Sequence, residues 1–285
     1  MGDAALLRGL RVALDVGHGG HPLGFEVGTK GRDGVTEFDL NKVLSKEVSS
    51  RLKAQGAKVS VHTYEKHHWD RPWLTERGLR AKGHHLFVSC HHNGHNGNSQ
   101  GTETLVDVDA TYRDQELAHN IQEGMVRELW GHLGRGGMKQ MNRGVKWQDL
   151  GVLGTVPTDV EAACLVEPYF IDDEGESGAD VGPAMTGRAA RGVADGIRQY
   201  WLDRRKPKFR VQVELDQGHG RDGLSQVQEL VPGAWCVRHK GHESEGCVEV
   251  QAGSFSEPRR ARKVAQRLRR RGFRADLRST AEEDE

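Results

Sequence analysis

The sequence predicts an α/β fold with a twisted, mostly parallel sheet flanked by helices, followed by a small α+β domain. In the N-terminal part, several apolar segments of strand length end in His or Glu. Between the first two of these segments, apolar residues recur at helical spacing. A charged segment containing Pro207 then indicates a linker. After it, strands and helices are predicted in the order βαββαβ, the split ferredoxin-like arrangement.

The first predicted strand covers residues 11–16, whose apolar and β-branched side chains suit a buried strand. The glycines of residues 17–20 end this strand in a flexible loop. His18 is therefore expected at the carboxyl edge of the sheet, where open α/β sheets bind their ligands.

A helix is predicted to begin at Glu37, because apolar residues recur after it at helical spacing. These are Leu40, Val43, Leu44, Val48 and Leu52. Glu37 lies in the first turn, where its carboxylate can point into a cleft. The alternative is that Glu37 only stabilises the positive end of the helix dipole.

Residues 86–91 repeat the pattern of an apolar strand that ends in a polar loop. Strand alternation places Ser89 and His91 on one face and Cys90 and His92 on the other. We take His91 rather than His92 as the candidate ligand.

The strand predicted over residues 162–166 is apolar throughout and stops at Glu167. An acidic side chain at a strand end is a candidate general base. With His18, Glu37 and His91, the chain offers the three His and carboxylate ligands of a catalytic zinc site, which keeps a fourth position for water. As an isolated residue, each of the four is more often structural.

Together these segments resemble the zinc-dependent N-acetylmuramoyl-L-alanine amidases of the Amidase_3 type. The resemblance covers residues 10–201 and includes Leu-Thr-Glu-Arg at 74–77, Gly-Thr-Glu-Thr at 101–104 and Arg-Gly-Val-Lys at 143–146. It departs at His92, where the family usually has a small residue, and at residues 168–172, where it typically has a Gly-Phe-Leu-Ser-Asn type sequence.

The resemblance implies that His18, Glu37 and His91 bind Zn²⁺ and that Glu167 is the catalytic carboxylate. The implied substrate is peptidoglycan, cut between N-acetylmuramic acid and the L-alanine of the stem peptide. A related zinc peptidase or deacetylase on the same scaffold is an alternative. The metal ligands indicate that a water is activated, but they say less about which substrate it attacks. A wall-binding protein without activity is the remaining alternative.

Composition places few further limits on function. Lys plus Arg and Asp plus Glu are 41 each, so overall charge does not favour nucleic acid as a partner. No apolar run approaches the roughly 20 residues of a membrane span. The four cysteines do not form a metal-binding pattern and are expected as buried thiols, although Cys236 and Cys247 could pair.

The predicted domains are a catalytic domain over residues 1–203, a linker over 204–209 and a wall-binding domain over 210–285 with a disordered acidic tip. Residues 248–255 and the helix after them resemble half of a SPOR repeat, a module that binds glycan strands stripped of stem peptides. The alternative is a module for dimerisation or stability.

The last predicted helix is strongly basic over residues 258–271. Such clusters bind polyanions, including RNA and DNA. The amidase resemblance favours anionic wall polymers or lipopolysaccharide phosphates over nucleic acid, and simple solvation of a surface helix stays open.

The chain shows no signal peptide at its start, so we expect a phage endolysin held in the host cytoplasm until its release to the wall. A bacterial autolysin or division amidase, periplasmic or extracellular after removal of a leader, is the alternative. Residues 133–144 read as a short Gly-rich loop, without the long inserted helix of regulated division amidases.

Overall fold

The computed structural model describes residues 6–21, 24–31, 33–64, 74–173, 182–204, 209–215, 222–237, 249–255 and 257–279. The chain divides into two compact units, Met1–Leu202 and Asp203–Glu285. No helix among the described residues is both long and apolar enough to cross a membrane.

The first unit consists of short strands and longer helices. In chain order they are β1 (Arg11–Val16), β2 (Gly19–His21), β3 (Gly24–Glu26), α1 (Glu37–Ala54), β4 (Lys58–His62), α2 (Leu74–Leu79), β5 (Leu86–Cys90), β6 (Thr102–Val106), α3 (Tyr112–Trp130), α4 (Gly134–Met141), β7 (Asn142–Trp147), β8 (Ala162–Glu167) and α5 (Pro183–Asp203).

Six strands form the central sheet, in the order β4-β1-β5-β8-β6-β7. Neighbours among β4, β1, β5 and β8 are parallel, whereas β6 runs antiparallel to β8. The mostly parallel sheet flanked by helices confirms the predicted fold class.

The register brings the ends of three strands to one level. Val16 pairs with Cys90, and Cys90 pairs with Val166. The residues that follow β1, β5 and β8 therefore emerge together at the carboxyl edge of the sheet. This edge carries the candidate site.

Side-chain alternation gives the sheet two apolar faces. Leu14 and Val88 join the larger core with residues of α1, α3 and α5. Ala13 and Phe87 point to the other face, which is covered by residues such as Val152. Burial on both faces explains why these strands are apolar throughout.

Two expectations about the chain are wrong. Residues 133–144 are not simply a loop, because Gly134–Met141 form α4. Met141 is buried in the core and Met138 packs against it, and this burial outweighs the low helix propensity of the glycines. In addition, Cys236 is disulfide-bonded rather than a thiol, while Cys90 and Cys164 are free and buried as expected. Cys247 lies outside the described residues.

The second unit has its own core and sheet. Its elements are β9 (Phe209–Glu214), α6 (Gly223–Leu230), β10 (Trp235–Val237), β11 (Glu249–Phe255), α7 (Pro258–Arg269) and β12 (Arg274–Ser279). All three neighbour pairs in the sheet order β10-β11-β9-β12 are antiparallel. The order βαββαβ is as predicted. Most of the predicted linker and the acidic tip lie outside the described residues.

Candidate metal centre and catalytic carboxylate

His18 lies two residues after the end of β1, in a left-handed backbone conformation with φ of 65°. It is the only non-glycine residue with positive φ among the described residues, and this conformation costs about 1–2 kcal/mol. The buried guanidinium of Arg77 donates to the carbonyl oxygens of Val16 at 3.1 Å and His18 at 2.5 Å. Arg77 also lies 3.7 Å from the carboxylate of Asp15, and this network holds the loop in its strained form.

Glu37 is the first residue of α1, and Thr36 caps the helix by accepting a hydrogen bond from the Asp39 backbone N–H. The Glu37 carboxylate is buried but hydrogen-bonded at both oxygens. Oε2 accepts from the Thr29 backbone N–H at 3.1 Å, and Oε1 accepts from the His92 backbone N–H at 3.2 Å. These contacts aim the side chain inward, away from solvent.

His18, Glu37 and His91, the three ligands predicted from the sequence, meet at one place. Glu37 Oε1 lies 3.0 Å from both His18 Nε2 and His91 Nδ1. One ligand atom from each of the three residues lies within 4.8 Å of the others. The only group of three potential metal ligands found among the described residues is therefore the predicted one.

The electrostatics of this cluster favour charge separation. Burial by itself raises the pKa of Glu37, but the two imidazoles outweigh it and hold the pKa well below its usual range. Burial also opposes protonation of His18, but the Glu37 and Glu26 carboxylates outweigh it and raise the pKa of His18. The site is thus an ionised carboxylate between two imidazoles, which is suited to holding a cation.

His92 has a different environment from His91. It is fully buried, its Nδ1 lies 2.8 Å from Asn41 Oδ1, and its ring packs edge-on against Tyr169. Burial lowers the pKa of His92 to about 3, so the ring is neutral. His92 is a core residue that braces α1 against the sheet edge.

Glu167 ends β8 beside this cluster. Its Oε2 is buried and has no hydrogen-bond partner among the described residues. Burial raises its pKa well above the usual value, and the Glu37 and Glu103 carboxylates add to the increase, while Lys146 opposes it. The carboxyl group is therefore poised to take up a proton.

A cleft of about 230 Å³ opens on the candidate ligands. His18, His91 and Glu26 contribute polar groups to its lining, and Leu74 and Val152 contribute apolar surface. A substrate in this cleft would meet both kinds of surface.

Two glycines make room for the cluster. A Cβ atom on Gly17 would lie 2.4 Å from ring atoms of His91. A Cβ atom on Gly28 would lie 2.4 Å from Glu37 Oε2, and Gly28 also has a positive φ of 71°. At both positions, a residue larger than glycine would take the space that His91 and Glu37 occupy.

Residues 12–199 match the family model described as N-acetylmuramoyl-L-alanine amidase. This match spans most of the first unit. The chain belongs to this family. The amidase therefore acts on peptidoglycan, and the part of the chain that matches the family lies within the first unit.

Individual proteins are also similar to this chain. Over 198 residues the amidase is 29% identical to the uncharacterized protein YqiI of Bacillus subtilis, covering 68% of this chain and 86% of that protein. Over 125 residues it is 31% identical to an uncharacterized cell wall amidase of Bacillus anthracis, covering 41% of this chain and 21% of that one. The crystal structure of an N-acetylmuramoyl-L-alanine amidase from Clostridium difficile 630 superposes with a TM-score of 0.56 at 26% identity, covering 67% and 96% of the two chains.

Sequence reasoning gave no role to several residues around the site of the amidase. Glu26 lies 3.3 Å from His18 Nδ1, and Arg77 holds the His18 loop. Arg77 stands in the motif at residues 74–77, but nothing local in the sequence shows that it reaches a carbonyl 59 residues earlier. Only the fold reveals that contact.

Proposed function

We propose that this amidase is a zinc hydrolase that cleaves the amide bond between N-acetylmuramic acid and the L-alanine of the stem peptide. One observation carries the proposal. His18, Glu37 and His91 present ligand atoms within 4.8 Å of one another, beside a buried Glu167 oxygen that has no partner among the described residues.

The donor set fits zinc. Two imidazoles and one carboxylate are typical of catalytic zinc sites, whereas Mg²⁺ and Ca²⁺ prefer oxygen ligands alone. The Glu26 carboxylate at His18 Nδ1 is the outer partner that metal-binding histidines commonly have, and it orients the ring. When bound, zinc supplies Lewis-acid polarisation of the scissile carbonyl and activation of water.

Glu167 performs the proton transfers in this proposal. Its Oε2 accepts the proton of the attacking water and then delivers it to the nitrogen of the departing L-alanine. A bound zinc ion would favour the ionised carboxylate that the first half of the reaction needs. Burial makes this carboxylate a stronger base than an ordinary Glu, so it retains the proton of water until it delivers that proton to the leaving nitrogen.

The experiment compares release of stem peptides from purified peptidoglycan by wild type and Glu167→Gln, before and after chelation and zinc return. Peptides with a free N-terminal L-alanine should appear only with zinc, and the variant should lose about 100-fold or more in kcat while still binding zinc. Glu47→Gln is the control, because Glu47 only pairs with Arg51 on the surface of α1. Cleavage within the peptide, release of acetate, or full activity after chelation would overturn the proposal.

We further propose that the second unit is a SPOR-like module that binds peptidoglycan glycan strands. Support comes from the βαββαβ order and the four-stranded antiparallel sheet, together with the sequence resemblance. The anionic partner proposed for its basic helix is a wall polymer or a lipopolysaccharide phosphate, and nucleic acid is not expected.

The basic helix α7 offers a suitable surface for that anion. Lys263, Arg267, Arg270 and Arg271 line a hollow of about 310 Å³. Among the described residues, the ion pairs of α7 involve Arg260 and Arg269 and none of these four cations. Binding to the wall should weaken steeply as salt is added. This salt dependence should be smaller in a Lys263→Gln and Arg267→Gln double variant. Salt-independent binding would contradict this role.

The biological setting we propose is phage-induced lysis, with the enzyme in the host cytoplasm until release. An autolysin or division amidase exported to the periplasm or beyond is the alternative. Expression of this chain inside a bacterium tests the setting. Lysis only after the membrane is permeabilised supports the endolysin, whereas export of the intact natural protein by uninfected cells would contradict it.

A further inference from the structure

We propose that Arg143 and Lys146 form a binding site for a carboxylate of the stem peptide, and so determine which wall peptides are cut fastest. The inference rests on the proposed function and deepens it, because the site adjoins the catalytic carboxylate. It arises from a cluster of charges that the proposed reaction does not use.

The strand register places this cluster next to Glu167. Glu103 of β6 is directly opposite Glu167 of β8 in the antiparallel ladder. Residues directly opposite each other in such a ladder point to the same face, with Cβ atoms about 5 Å apart. Lys146 is also close enough to influence the pKa of Glu167, and it opposes the increase that burial causes.

Both cations are anchored on one oxygen of Glu103. Arg143 Nε and Lys146 Nζ each donate to Glu103 Oε2 at 2.5 Å. Two positive charges therefore meet one negative charge, so the group formed by Arg143, Lys146 and Glu103 carries one unit of positive charge. A purely structural ion pair would need only one of the two cations.

Hydrogen-bond donors remain available on both side chains. A guanidinium carries five N–H groups and an ammonium carries three. Besides its bond to Glu103, Arg143 donates a long hydrogen bond of 3.4 Å to the carbonyl oxygen of Gln100. The Arg143 and Lys146 side chains are 36% and 41% exposed, so their remaining donors can reach a ligand in solution.

The Arg143 guanidinium is held in a defined direction. It lies 5.0 Å from the centre of the ring of Phe170, in the segment that follows Glu167. Phe170 is itself buried, and stacking of this kind restricts the planar guanidinium. A receptor that is already oriented loses less entropy when it binds a ligand.

The ligand chemistry follows from this charge. A guanidinium and an ammonium bind carboxylates and phosphates through charge-assisted hydrogen bonds, and the stem peptide offers only carboxylates. On the leaving side of the scissile amide, the stem peptide carries carboxyl groups that are free or amidated, whereas the sugar rings are uncharged. The cations therefore fit a free carboxylate on the peptide side of the substrate.

The test uses two soluble muramyl peptides that differ only in having isoglutamate or isoglutamine after L-alanine. Wild type should favour the free carboxylate by about tenfold in kcat/KM, mainly through KM. Arg143→Gln and Lys146→Gln should each bring this ratio toward one, and Arg143→Lys should retain part of it. Arg135→Gln and Lys139→Gln on the exposed surface of α4 are matched controls that should leave the ratio unchanged.

The outcomes separate the two proposals. Equal cleavage of both peptides by wild type, or variants that slow both peptides equally, would overturn the carboxylate site and leave the amidase reaction intact. Cleavage of neither peptide, with no stem peptides released from whole peptidoglycan, would overturn the proposed function and this inference with it. Circular dichroism is used to check that each variant is folded. If Lys146→Gln is unfolded, Arg143→Gln alone provides the test.

Discussion

At the scale of single residues, the candidate metal centre needs glycines that leave room for the ligand side chains as well as the ligands themselves. A methyl group on Gly17 would lie 2.4 Å from the His91 ring, and the φ of Gly17 is not in the positive range that favours glycine. Gly17→Ala should therefore displace the ring without straining the backbone. We expect zinc affinity to fall about tenfold or more, measured by competition with a chromophoric chelator.

The control for Gly17→Ala is Gly187→Ala in α5. A Cβ atom there meets nothing within 4 Å, and alanine favours the helix. Zinc affinity should stay at the wild-type value in this variant. Equal zinc affinity in both variants would show that the His91 ring is free to move and would contradict the prediction.

Glu167 should lower the stability of the metal-free protein. Its pKa in the folded protein is raised well above the ordinary 4.5, by burial first and then by neighbouring carboxylates. Above that ordinary value the unfolded chain releases the proton while the folded protein retains it, so stability falls as pH rises. Metal-free Glu167→Gln should therefore melt about 2–4 °C higher than wild type at neutral pH.

The same comparison at acidic pH provides the check. Below pH 4.5 the carboxyl is protonated in both states, so the difference in melting temperature between Glu167→Gln and wild type should disappear. Thermal denaturation followed by circular dichroism measures both values. A wild type as stable as the variant at neutral pH would mean that the carboxylate is adequately solvated.

At the scale of elements, the N-terminus of α1 connects helix stability to the site. Thr36 caps the helix, and Glu37 is its first residue. Thr36→Ala should cost about 1 kcal/mol of folding free energy, and it should also weaken zinc binding because the first turn frays. Denaturant unfolding and zinc competition measure the two effects separately.

The N-terminus of α3 offers the matched control. Thr111 caps that helix in a capping box with Asp114, away from the ligands. Thr111→Ala should reduce stability to a similar degree while leaving zinc affinity unchanged. Equal weakening of zinc binding in the two variants would mean that lower overall stability causes it, and not fraying of the first turn of α1.

At the scale of the whole molecule, the division into two compact units allows the proposed wall attachment to be tested separately from catalysis. A chain without residues 203–285 should cleave a soluble muramyl peptide at the wild-type rate. On insoluble peptidoglycan at low enzyme concentration it should be roughly 100-fold slower, because a tethered enzyme has a higher effective concentration at its substrate. Turbidity loss and soluble peptide release are the two measurements.

Two results would argue against attachment by the second unit. Equal turbidity loss by the full and shortened chains would show that the unit does not raise activity on the wall. Loss of activity on the soluble peptide as well would mean that the unit supports the catalytic fold instead. Each result assigns the unit a role other than tethering.

Much of the fold was predictable because hydrophobic burial leaves a local pattern. The apolar strands at β1, β5 and β8 are present with ends close to those predicted, and the βαββαβ order of the second unit matches the sequence pattern. The helix α4 was missed because its glycines indicate a loop. Burial of Met141 in the core decided otherwise.

The sequence by itself determined the fold class, the family and the four residues to examine, because strand ends and helix starts are encoded locally. Their roles as metal ligands and proton carrier stay predictions. The tertiary structure alone decided that Glu37 meets both imidazoles and that His92 turns into the core. It alone brought Arg77 to the His18 loop and gathered Arg143 and Lys146 on Glu103 beside Glu167. These contacts join residues far apart in the chain, so strand register and packing create them, and no local pattern records them.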